Sequence, residues 1–284
     1  MYLQHFGLAQ YPFSLTPNTR FFLKLPSHQE AFDRLVQALQ EEGNFSKIVG
    51  EVGSGKTMLC RKVLNALEGH KNQFVTAYIP HPILSEDALL EAIADELLIN
   101  RPDSLQYRDL LKLISAELLN YAEAGKQTVL FIDEAQAMPE ESLNAIYLLT
   151  QAQAESKRPL QVILFGQPEL EELLDTPMLK QLKQGISFSY TLAPMDREAV
   201  DAYLQHRLAK SGFSGGTLFN AAAVNLLHDA SGGVPRTINI LCHKALMVAF
   251  GKGDRLLDAS HVERAVADTE ALPRKRSWTE RLFS

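Results

Sequence analysis

Eight consecutive residues, Gly50-Glu51-Val52-Gly53-Ser54-Gly55-Lys56-Thr57, follow the spacing G-x-x-x-x-G-K-[ST]. The chemistry of that spacing is phosphate binding. Gly50 and Gly55 are expected to let the backbone curl so that successive N–H groups converge on phosphate oxygens. Lys56 offers a cation to β- and γ-phosphates, and Thr57 offers a hydroxyl to Mg²⁺. The candidate nucleotide contacts are therefore Gly50, Glu51, Val52, Gly53, Ser54, Gly55, Lys56, Thr57 and Met58, and the ligand they imply is ATP with Mg²⁺. A second signal lies downstream. Thr128 to Ile132 is wholly apolar after its first residue and ends in Asp133-Glu134. At the carboxyl edge of a buried parallel strand, Asp133 is placed to hold Mg²⁺, through water. Glu134 points to a different face and is placed to orient or deprotonate a water. Gln167 follows a third apolar run, 160–165. Its amide could bond the attacking water or the γ-phosphate, or could cap the helix that opens at Pro168-Glu169.

The surrounding pattern supplies elements to hold these groups. Short apolar strands are expected at 47–49, 74–79, 128–132, 160–165 and 186–192, with helical spacing between them. Ser27 is read as the cap of a helix from 28 to 41, Ser85 of one from 86 to 98, and Ser104 of a third ending at Gly125. After Ala193-Pro194 the strands stop. Four helices follow, capped at Asp196, begun at Asn220, opened by Pro235 and capped at Asp258, with Gly212 and Gly251 as stops. The expected organisation is an N-terminal arm over 1–27 packed on the core, an α/β nucleotide-binding domain over 28–193, a helical lid over 194–270 and a basic tail over 271–284. The arm is rich in aromatics and prolines and could supply a wall of a base pocket.

Composition narrows the classes. With 284 residues and a net charge of −6, the chain has ample core and no general basic character, which argues against broad nucleic-acid binding. Cys60 and Cys242 match no metal or redox spacing and read as buried free thiols in a reducing compartment. No signal peptide and no membrane span are read, so a cytoplasmic location is expected. The histidines show no metal-ligand spacing.

These motifs in this order resemble the AAA+ ATPases, and more closely the ExeA/GspA-type secretion ATPases, a group that includes the MshM proteins of MSHA-type pilus biogenesis. The resemblance rests on Phe6-Gly7-Leu8 with Pro12-Phe13, on Ser27-His28 with Glu30-Ala31, and on GEVGSGKT, FIDEAQ, GQPEL and GGVPRTINILC. It implies an α/β P-loop NTPase core, a three-layer sandwich with a parallel sheet, followed by a small all-α lid. It implies that Lys56, Thr57 and Asp133 hold Mg·ATP, that Glu134 activates water, that Gln167 falls at the first sensor position and that Arg236 falls at the second, reaching the γ-phosphate from the lid. It also implies ATP-dependent homo-oligomers and inner-membrane partners in pilus or secretion assembly.

Two departures matter. Relatives read Gln-Arg-Ile before the last strand, and that arginine resembles a finger into a neighbouring subunit. Here the residues are Gln184-Gly185-Ile186. An arginine finger is worth roughly 10³–10⁵ in rate, so slow intrinsic hydrolysis is expected, with Lys180, Lys183 or Arg158 as substitutes. Longer relatives also continue into a membrane span and a periplasmic domain, whereas this chain ends at Ser284. Two other readings stay open: a DNA-directed ATPase like the transposition target selectors, and a nucleotide switch with little turnover.

Overall fold

The structure is a computed structural model. It describes residues 2–16, 21, 23, 25–40, 43–102, 105–151 and 159–269. The chain divides into two compact units. One comprises Pro26–Glu51 and Lys56–Leu192; the other comprises Met1–Leu25, Val52–Gly55 and the chain from Ala193 on.

The first unit is built on five parallel strands, β1 (Phe45–Val49), β2 (Phe74–Ile79), β3 (Gln127–Ile132), β4 (Leu160–Gly166) and β5 (Ile186–Thr191), in the order β2-β3-β4-β1-β5. Every residue of β1 and β4 is buried, as central strands covered on both faces require. The two-residue repeat of a strand sorts their side chains. Val129, Phe131, Ile163, Phe165 and Ile48 pack on helices α2 (Pro26–Ala38) and α3 (Lys56–Glu68). Leu130, Ile132, Val162, Leu164 and Phe45 face the other way. They pack on α4 (Glu86–Glu96), α5 (Tyr107–Glu123), α6 (Glu140–Thr150) and α7 (Glu169–Leu174). A one-turn helix, α8 (Lys180–Gln184), leads into β5. The sheet with a helical layer on each face is the three-layer sandwich expected.

Local signals hold to different degrees. Ser85 caps α4 by accepting from the Ala88 N–H at 3.4 Å. Ser27 does not cap α2, which starts one residue earlier at Pro26, a residue suited to the first helical position because its missing N–H is not needed there. Ser104 lies outside the described residues.

The second unit holds α9 (Arg197–Lys210), α10 (Ala221–Ser231), α11 (Pro235–Lys252) and α12 (Ala259–Ala267). Asp196, Asn220 and Asp258 are the N-caps, each with its side chain accepting a backbone N–H. The helix opened by Pro235 runs through Gly251 and stops at Gly253, whose φ of +80° supplies the left-handed turn. The N-terminal arm belongs here. It begins with a short helix, α1 (Tyr2–Phe6), and Tyr2, Phe6, Leu8 and Phe13 share one core with Leu204, Leu227, Leu241 and Val262. The arm thus shares its core with the C-terminal helices. Arg207 fixes it there: the guanidinium donates to the carbonyls of Pro12 (2.5 Å) and Ser14 (3.3 Å) and to the Tyr203 hydroxyl (2.8 Å), and lies over the Phe21 ring. Both thiols are free and buried, Cys60 in the first unit and Cys242 in the second. No helix among the described residues is long and apolar enough to cross a membrane.

Candidate functional site

The phosphate-type loop leaves β1 at Val49, and the Gly50 N–H donates to Gly166 O at 3.1 Å, across to the end of β4. The left-handed turns fall at Gly53 (φ +80°) and Gly55 (φ +101°). Gly50 is not in the left-handed region, so the freedom expected at Gly50 and Gly55 is used at Gly53 and Gly55. Lys56 opens α3 with only 4% of its surface exposed. Its ammonium donates to Gly50 O (2.8 Å) and Glu51 O (3.1 Å). Burial lowers its pKa, against the opposing pull of Glu134, Asp133, Glu51 and Glu169.

The end of β3 brings two carboxylates to the same edge of the sheet. The Asp133 N–H donates to Ile79 O at 3.0 Å, continuing the β2–β3 ladder one step past Ile132. Asp133 is 3% exposed; its carboxylate accepts from the Glu134 N–H at 3.1 Å, and the Thr57 hydroxyl lies close enough to lower its pKa. Burial raises the Asp133 pKa, and these contacts and Lys56 only partly counter it. Glu134 turns out of the strand in the left-handed region, φ +54°, an uncommon conformation for a residue with a Cβ. A 3₁₀ turn, Ala135–Ala137, follows. Burial pushes the Glu134 carboxyl up. Hydrogen bonds from Gln167 and Gln136, with the charges of Lys56 and His81, outweigh it and leave the pKa below the ordinary value.

Gln167 sits just past β4. Its side-chain N–H donates to Glu134 Oε2 at 2.9 Å. It does not cap α7; its backbone carbonyl accepts the Leu170 N–H instead, at 2.9 Å. Gln136 was not singled out by sequence reasoning, yet its Nε2 donates to the same Glu134 Oε2 at 2.8 Å and its Oε1 accepts from the Gln167 N–H at 3.0 Å. Only its position two residues past Glu134 hinted at it. Buried Lys47 of β1 reaches Glu171 at 2.5 Å, tying α7 to that strand.

In the second unit, Arg236 is the second residue of α11. Its backbone N–H donates to Gly53 O at 3.3 Å, and its Cβ lies 2.3 Å from where a Cβ on Gly53 would stand. Gly185 ends α8 with φ −79°, a conformation open to any residue. Of the cations named as substitutes for an arginine there, Lys183 is paired with Asp175, Lys180 is exposed, and Arg158 lies outside the described residues. The basic tail also lies outside them.

Residues 39–174 match the family model described as an AAA domain. Over 283 residues the chain is 37% identical to General secretion pathway protein A of Aeromonas hydrophila, covering 100% of this chain and 51% of that protein. The chain thus spans about half the length of that curated relative. Three solved structures are similar in fold. They are Drosophila ORC bound to DNA (TM-score 0.69, 18% identity, 94% of this chain and 66% of that one), Aeropyrum pernix ORC2 (0.63, 18%, 92% and 72%) and the Thermotoga maritima RuvB branch migration motor (0.54, 16%, 87% and 70%). With its parallel five-stranded sheet, its glycine-rich loop before α3 and its C-terminal helices, the chain has the P-loop AAA-type fold, and its residues 39–174 match the AAA domain model.

Proposed function

We propose that the chain binds Mg·ATP and hydrolyses it slowly, and that it does so in support of a type II secretion machine or an MSHA-like type IV pilus. The buried Asp133 carboxylate beside the Thr57 hydroxyl, one residue past Lys56, carries this reading. Together they join the loop and the acidic strand end into a pair of hard oxygen ligands of the kind Mg²⁺ takes, with waters completing the shell. The donor set thus fits the ion, and bound Mg·ATP supplies the electrophilic phosphoryl group. Lys56 and the loop N–H groups of Gly50 to Met58 bind the phosphates, Thr57 and Asp133 hold the metal, and Glu134 takes the proton from the attacking water. Gln167 orients Glu134, and Arg236 senses the γ-phosphate. The similarity to General secretion pathway protein A supports secretion-system proteins as partners; inner-membrane or pilus assembly partners, a cytoplasmic location and homo-oligomers on ATP binding are part of the same proposal.

Gly185, where an arginine finger is expected, favours a second reading: a nucleotide switch with little turnover of its own. Measuring the ATPase rate against protein concentration, with and without inner-membrane assembly components, separates the two. Stimulation supports the ATPase; a flat, near-zero rate with tight nucleotide binding supports the switch. Calorimetry that finds no Mg²⁺-dependent ATP uptake, or uptake unchanged in Lys56→Ala, overturns both.

A further inference from the structure

Glu134 carries the proposed proton transfer, and the question is what aims it. Both amide donors in reach, Gln136 Nε2 (2.8 Å) and Gln167 Nε2 (2.9 Å), converge on one oxygen, Oε2. The other amide atom of Gln136 fixes which way that side chain faces. A backbone N–H can only donate, so the atom it meets 3.0 Å from Gln167 N must be Oε1, and Nε2 must point at the carboxylate. Gln136 is therefore a bridge with a defined polarity. It ties the carboxylate that ends β3 to the main chain that ends β4.

We propose that Gln136 is a positioning residue for Glu134: it and Gln167 occupy Oε2 and leave Oε1 as the oxygen that receives the proton from water. This assignment rests on the hydrolytic reading of Glu134 above, so its test keeps the two apart.

Three variants of the full chain serve. Gln136→Met keeps the side-chain length and removes both hydrogen bonds. Gln136→Glu keeps an acceptor for the Gln167 N–H and sets a second carboxyl group against Glu134 Oε2 in place of the amide donor, so that one proton is shared between the two. Glu134→Gln reports on the base itself. The readouts are hydrogen exchange of the Gln167 backbone amide without nucleotide, the dissociation constant for Mg·ATP, and the single-turnover hydrolysis rate with protein in excess. In Gln136→Met we expect exchange at Gln167 to quicken at least tenfold, affinity to stay within about twofold and turnover to fall at least tenfold. In Gln136→Glu exchange stays protected while turnover still falls. Hydrolysis within twofold of the parent in Gln136→Met, with Glu134→Gln inactive, overturns the role of Gln136 alone. Hydrolysis retained in Glu134→Gln overturns the base as well.

Discussion

The Lys56 ammonium lies 2.8 Å from the carbonyl oxygen of Gly50, held by the loop that precedes it rather than by a carboxylate. Nearby Asp133 is buried with its charge answered only in part. Burial lowers Lys56 from 10.5 and raises Asp133 from 3.8, so the fold disfavours both charged forms. The contribution of Asp133 is most favourable below 3.8 and declines as pH rises through its folded pKa; that of Lys56 improves only as pH rises through its own lowered value. At neutral pH both penalties stand. Lys56→Met and Asp133→Asn should each raise the Tm of the nucleotide-free protein, by about 2–4 °C per kcal/mol relieved. Both should erase the extra Tm gained with Mg·ATP. Scanning calorimetry with and without ligand checks this; a lower nucleotide-free Tm in both variants would refute it.

Glu134 is adjacent in sequence and opposite in sign. Its pKa is lowered from 4.5 by the Gln167 and Gln136 amides, against its own burial. Its stabilising contribution is present above 4.5 and lost as pH falls through the lower folded value. Glu134→Gln should therefore destabilise the nucleotide-free protein at pH 7 and lose that effect toward pH 3. Urea midpoints across this range decide it, and a difference that grows on acidification would contradict the assignment.

Gly185 is a site where a gain can be sought. Its φ of −79° suits any side chain, and a Cβ there would meet its nearest neighbour, Leu182 O, at 3.3 Å, a contact that yields with a small shift. Gly185→Arg should fold. If the neighbouring subunit lacks only this cation, the ATPase rate should rise at least tenfold and become steeply dependent on protein concentration. A rate unchanged at every concentration would show that the position does not face a neighbour's active site.

Arg207 makes a prediction about stability alone. Replacing it with Met leaves the carbonyls of Pro12 and Ser14 without their donor while the stem is kept. The loss should be about 2–4 kcal/mol. Protease cleavage within residues 2–16 should accelerate before the α/β unit is cut. Equal protection of that segment in the variant would argue that the apolar contacts of Tyr2, Phe6 and Phe13 suffice to hold it.

The sheet was legible mainly through β3 and β4, short apolar runs buried on both faces that leave the clearest strand signature, whereas β5 showed only an alternating pattern. That Lys56, Thr57, Asp133 and Glu134 come together was legible because the loop and the acidic strand end both close parallel strands at the same sheet edge. The rest depended on contacts far apart in sequence. The aromatics of the arm signalled burial, but nothing local said that Tyr2 meets His243 or that Pro12 meets Arg207. Gln136 stood unnoticed for the same reason: a glutamine between two alanines has no periodicity, and its meaning comes from the end of β4 lying beside it. The stop of α11 was misplaced by two residues because two glycines compete there, and the backbone turns left-handed at Gly253.

The two cysteines are distributed one to each unit, and both are sealed from solvent. A thiol reagent in solution can modify the native chain only when a unit opens. Brief alkylation pulses followed by peptide mapping would thus clock the opening of the α/β unit at Cys60, on α3, and of the helical unit at Cys242 separately, in one sample and without an engineered probe. If nucleotide slows one clock and leaves the other running, the ligand's grip is local; if both slow together, the molecule melts as a whole.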